Sequence, residues 1–178
     1  MRSLNILRSI VLSIGAAYLI FYQDHSAPVG TRVLQFVTVG LVVGTLVLFK
    51  ISKPQLTIKE IAAPTSIAFL TAVLALAFGW QFAGEGTDEL FVLRSLVFLF
   101  VFGMAVLEFT LSFKANPEDV LELRISATLG AITGLLFAFA PLDDLNAVGF
   151  LSAYLALSAV QRGVWAATPT NRKKKENA

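Results

Sequence analysis

The chain has 178 residues, 56% hydrophobic and 15% charged, with a mean hydropathy of +0.75 and a net charge of +2. A soluble domain carries about a quarter charged residues, so charge cannot cover this surface and the apolar surplus must face lipid. Having no cysteine excludes disulfides, thiolate metal sites and cysteine nucleophiles, and with one histidine, His25, any metal site would rest on carboxylates.

Six apolar segments follow in chain order: Leu4–Tyr22, Val33–Phe49, Ile61–Phe82, Leu90–Phe113, Ile125–Ala140 and Leu145–Ala167. Most approach the roughly 20 residues that cross about 30 Å of hydrocarbon as a helix. None alternates as a barrel strand would. Arg2 and Arg8 before the first apolar run resemble a signal peptide, but no small-x-small cleavage site follows, so a retained helix is expected. Thr57-Ile58-Lys59-Glu60 reads as a capping box for the third helix, and Pro64 predicts a local kink just inside it. Thr87 is expected to cap the fourth helix, with Asp88 and Glu89 in its first turn. Asn116-Pro117-Glu118-Asp119 predicts that the fifth helix begins outside the membrane and enters it near Arg124. Asp143 or Asp144 caps the sixth, and Pro169 ends it.

The expected fold class is an all-α membrane protein, with six transmembrane helices arranged as three tandem helical hairpins. Residues 1–169 form the transmembrane domain, with hairpins at about 4–49, 58–113 and 117–167, and 170–178 form a basic tail. The second helices align at Val43-Gly44-Thr45, Phe102-Gly103-Met104 and Leu157-Ser158-Ala159, spaced by 59 residues (103 − 44) and 55 residues (158 − 103). Such a period is the signature of an internal repeat.

Positive charge sets the orientation. Of the 14 basic residues, only Arg32 and Arg94 fall at the odd-numbered loops; the rest lie at the termini and even-numbered loops, which are therefore cytoplasmic. The tail Arg172-Lys173-Lys174-Lys175 suits anionic lipid better than nucleic acid. The odd loops are acidic, with Asp24, Glu85, Asp88, Glu89, Asp143 and Asp144. Capping and topology account for these acids more simply than convergence on a cation.

Two features are candidate sites. The first is helix packing through small residues: Ser126, Gly130, Gly134 and Ala138 form a stripe on the fifth helix, and Gly40 and Gly44 a pair on the second. These serve either a homodimer or packing within the bundle, and the latter is expected. The Phe-rich fourth helix, with Phe91, Phe98, Phe100 and Phe102, suits a lipid-facing position, core packing being the alternative. The second is an intramembrane ion pair of Glu108 with Arg162 or Arg124 near the cytoplasmic surface. Only 13 uncharged residues separate Arg94 from Glu108, and an ionisable group at such depth needs a partner. A structural pair is the simpler reading, since a proton relay would need further acidic or histidine steps. No catalytic triad, phosphate loop, zinc motif or cofactor motif is recognisable.

The stretches Arg124-Ile125-Ser126-Ala127-Thr128-Leu129-Gly130-Ala131-Ile132-Thr133-Gly134 and Tyr154-Leu155-Ala156-Leu157-Ser158-Ala159-Val160-Gln161-Arg162-Gly163 carry a family resemblance. Over about Arg8 to Ala167 the chain resembles the HdeD-like short-repeat membrane proteins, associated in bacteria with acid resistance. Pro141 matches the family's proline after the first helix of a hairpin, which the first two hairpins lack at that place. The resemblance implies three hairpins and a bacterial inner membrane, and carries no catalytic residues. The expected function is a non-enzymatic assembly or stress-tolerance component acting through helix contacts, with itself or a membrane-protein partner. The rival is a small channel or carrier for a neutral or lipid-like solute. A membrane enzyme ranks third and would need carboxylates gathered in a cleft.

Overall fold

The computed structural model describes residues 2–51, 58–81, 88–115 and 117–168. They form six helices: α1 (Arg2–Phe21), α2 (Ala27–Ile51), α3 (Ile58–Gln81), α4 (Glu89–Ser112), α5 (Pro117–Phe139) and α6 (Asp144–Ala167). Among the described residues, α1, α2, α4, α5 and α6 each carry a span long and apolar enough to cross a membrane, and α3 carries the apolar stretch Pro64–Ala77. At about 1.5 Å per residue, helices of 20–25 residues match the hydrocarbon thickness. The exterior is apolar: Phe36, Leu46, Phe69, Phe109, Ile132 and Leu157 are all more than half exposed. Water would not tolerate so continuous an oily surface.

Local chemistry fixes the helix ends. Asp88 itself caps α4, accepting from Phe91 N at 3.0 Å, one residue later than Thr87 was expected to. Asp143 caps α6, accepting from Asn146 N at 2.8 Å. Pro117 opens α5 as expected, since the first helical residue needs no amide hydrogen. The second helix, by contrast, starts six residues before Val33. Asp24 Oδ1 accepts from Ser26 N at 3.0 Å, and the Ser26 carbonyl takes the first helical bond, from Gly30 N. Pro28 then sits in the first turn, and Arg32 belongs to the exposed side of α2 rather than to a loop. The α3 helix runs through Pro64 without interruption. The caps expected from Thr57, Thr87 and Asn116, the carboxylate of Glu85, Pro169 and the basic tail lie outside the described residues.

The packing has a regular plan. The even helices α2, α4 and α6 touch one another and form an inner triangle. Each odd helix lies in a groove between two of them: α1 against α2 and α6, α3 against α2 and α4, α5 against α4 and α6. The tightest seams run between hairpins, at α4–α5, α1–α6 and α2–α3, so the chain closes on itself. Leu34, Val37, Leu93, Val97, Val101, Val148, Leu151 and Leu155 fill the triangle, all nearly inaccessible. The α4 helix is therefore central, which corrects its expected lipid-facing position. Leu93, Val97, Phe100, Val101, Met104 and Glu108 turn inward, and Phe91, Phe109 and Phe113 turn outward.

Two polar contacts join neighbouring hairpins across the acidic end. Asp144 Oδ2 accepts from Ala27 N at 3.1 Å, so an acid at the start of α6 caps α2. Arg94 of α4 donates from Nε to Phe137 O (2.9 Å) and from Nη2 to Ala138 O (3.3 Å), neutralising the carbonyl end of α5. Asp144→Ala is expected to cost about 1 kcal/mol, the worth of a cap. Amide exchange should accelerate at Ala27 while remaining unchanged in α4.

Candidate functional site

Three helices bring charge to one buried place. On α6, Tyr154, Ser158 and Arg162 are spaced four apart and share the inward face. On α4, Glu108 continues the face of Val97, Val101 and Met104. On α1, Arg8 lies between Leu4 and Leu12, again four apart. Ser9 beside it donates to Ala159 O at 2.8 Å, which fixes α1 against α6.

Arg162 Nη2 donates to Glu108 Oε1, and the two residues are 7% and 5% exposed. Each ion alone would cost several kcal/mol to bury; the charge-assisted bond offsets that cost. Arg8, partly buried, lies within the electrostatic field of both Glu108 and Arg162. A cavity opens beside the pair, lined by Arg8, Arg162, Tyr154, Ser158, Thr45, Thr65, Pro64 and several apolar side chains. It offers about 20 Å³ to the centres of water-sized molecules. A single water needs about 10–15 Å³ by that measure. Its apolar lining comes from Leu12, Leu41, Ala68, Phe100 and Met104.

The other sequence-derived residues lie elsewhere. Arg124 is exposed on α5 and takes no part in the pair. Gly130 and Gly134 are buried against α4: a Cβ on Gly130 would stand 3.0 Å from Ala105 Cβ and 3.1 Å from Val101 O, and one on Gly134 2.8 Å from Phe102 Cβ. Ser126 is half-buried and Ala138 exposed, so only the middle of the stripe is a close seam. Gly40 and Gly44 receive Val11 and Leu7 of α1. These small residues thus serve contacts within the chain. The hydroxyls of Thr38, Thr45 and Thr71 donate to carbonyls one turn back, which satisfies them without a polar pathway. His25 bonds the Gln23 carbonyl through Nδ1. Among the described residues, no cluster of three His, Asp or Glu could hold a metal ion.

Arg8, Tyr154, Thr65 and Thr45 are members of the site that sequence reasoning did not single out. The signal for two of them was present: Arg8 holds the four-residue register of Leu4 and Leu12, and Tyr154 that of Ser158 and Arg162.

No family model matches the chain, and no curated protein or solved structure matches it.

Proposed function

We propose that this chain is a non-enzymatic, six-span protein of a bacterial inner membrane, with both termini cytoplasmic. It acts as an assembly or stress-tolerance component through helix contacts. The observation that carries this reading is the closed packing of α2, α4 and α6. A carrier places broken helices and polar groups at the midplane. Here the polar groups gather towards the basic end, and the cavity beside them holds little more than a water. The resemblance to the HdeD-like proteins supplies the stress-tolerance class, and the basic-residue distribution supplies the orientation. The nested arrangement of odd helices between even ones is what three related hairpins would build.

Reconstituted vesicles test the reading against the channel or carrier alternative. Glycerol and urea are expected to enter protein-containing vesicles no faster than empty ones in stopped-flow light scattering. Faster entry that scales with protein content would overturn it. Intact mass after purification in mild detergent should then report a complex with a second copy or another membrane polypeptide; a neutral solute retained one to one would favour the carrier.

A further inference from the structure

The cavity is a meeting point of helices that do not otherwise meet. Arg8 reaches it from α1, Thr45 from α2, Thr65 from α3, Met104 from α4 and Arg162 from α6. Among the described residues, α1 and α3 share no seam; each packs against α2. Arg8 and Thr65 therefore line one space from two helices with no direct packing between them. Whatever sits between these two side chains is the link between α1 and α3.

The polar part of the wall calls for a small group that both accepts and donates. Arg8 brings guanidinium N–H donors and no acceptor. The Thr65 oxygen is buried with no partner among the described residues. The Thr45 hydroxyl donates to Leu41 O at 2.6 Å and keeps lone pairs with which to accept. A water accepts from Arg8 and donates to both threonine oxygens, within the two to four polar partners that a buried water takes. The room agrees, with space for one water and little more. Cavities that stay dry are apolar, and this wall is not. Arg8 lies six residues into α1, about 9 Å from that end of the bundle, so the path from bulk water is short. We propose that one ordered water occupies this cavity and joins Arg8 of α1 to Thr65 of α3. The proposal goes beyond the functional reading above and does not depend on it.

The test uses the full chain in maltoside micelles and reads methionine oxidation by mass spectrometry. X-ray radiolysis splits ordered internal water and oxidises the side chains beside it, whereas hydroxyl radical generated in the bulk oxidises exposed ones. Met104 lines the cavity and is 7% exposed, and Met1 is the only other methionine, so the signal is unambiguous. Met104 is expected to be oxidised by radiolysis and spared by bulk radical. Thr65→Val keeps the shape and removes the hydroxyl; it should cut radiolytic oxidation of Met104 several-fold and lower the thermal midpoint. A dry cavity predicts the opposite sign, because deleting an unpaired buried hydroxyl raises stability. Arg8→Gln and Thr65→Val should also be coupled, the double variant losing less than the two single losses together, although their helices do not touch. A Met104 that radiolysis leaves unoxidised overturns the proposal. So does a Thr65→Val protein with unchanged oxidation or with equal or higher stability, and so does strict additivity with Arg8→Gln. Should either variant not fold, radiolysis of the natural chain decides alone: oxidised Met104 supports the water and unoxidised Met104 sinks it.

Discussion

Glu108→Gln is expected to destabilise the protein by about 3–5 kcal/mol, the cost of leaving a buried charge without its partner. Glu108 is the acid bonded to Arg162, and Arg8 lies in the same field. Losing the carboxylate leaves the Arg162 guanidinium without its partner in a region walled by Phe100, Met104 and Leu12. Glutamine keeps the volume and one carbonyl acceptor, so the loss measures charge more than packing. Replacing both partners, Glu108→Gln with Arg162→Met, should recover most of the stability, because two buried ions and their desolvation cost leave together. Unfolding free energies in micelles for the two single variants and the double variant give the coupling. A coupling under about 0.5 kcal/mol would show the pair to be independent groups.

Gly134→Leu is expected to have the next largest effect, a loss of about 1–3 kcal/mol or more from overpacking. The first added carbon would stand 2.8 Å from Phe102 Cβ and 3.3 Å from Phe102 Cα. Those atoms are fixed to the α4 backbone and cannot swing aside, so α5 itself must move off α4. That seam is the most extensive among the described residues, and in lipid no hydrophobic drive between helices exists to hold it once the small-residue fit is lost. Gly149→Ala is the matched control, because nothing lies within 4 Å of its added carbon. It should be neutral or slightly stabilising through helix propensity. Equal losses in the two variants would show that packing against α4 is not the cause.

The elements of the fold were legible because their signals are strong. Bilayer-length apolar runs separated by acids, prolines and basic residues left little choice about six helices. The start of α2 was not legible: Gly30, Thr31 and Arg32 look like loop, and only the Asp24–Ser26 turn and the Asp144 cap explain why the helix begins at Ala27. The position of α4 was misread for a deeper reason. In a membrane bundle both the inner and the outer faces are apolar, so phenylalanines at Phe91 and Phe100 look alike although one is 65% exposed and the other 3%. Polar residues are the better guide to the interior. Glu108 and Arg162 are recognisable by depth, whereas Arg8 reads as a topology signal because it stands near the N-terminus beside Arg2. Its four-residue register with two buried leucines gives its place at the cavity. Thr65 carries no such signal, since its role depends on α3 lying between α2 and α4.

Single-cysteine labelling tests the membrane-spanning bundle most directly, because the natural chain contains no cysteine. Cysteine at Asp24 or Asp143 should react with a membrane-impermeant maleimide on intact cells, and cysteine at Lys50 or Lys114 only after permeabilisation. Labelling of Lys50→Cys and Asp24→Cys from the same side of an intact membrane would contradict a crossing by α2, and with it the bundle described above.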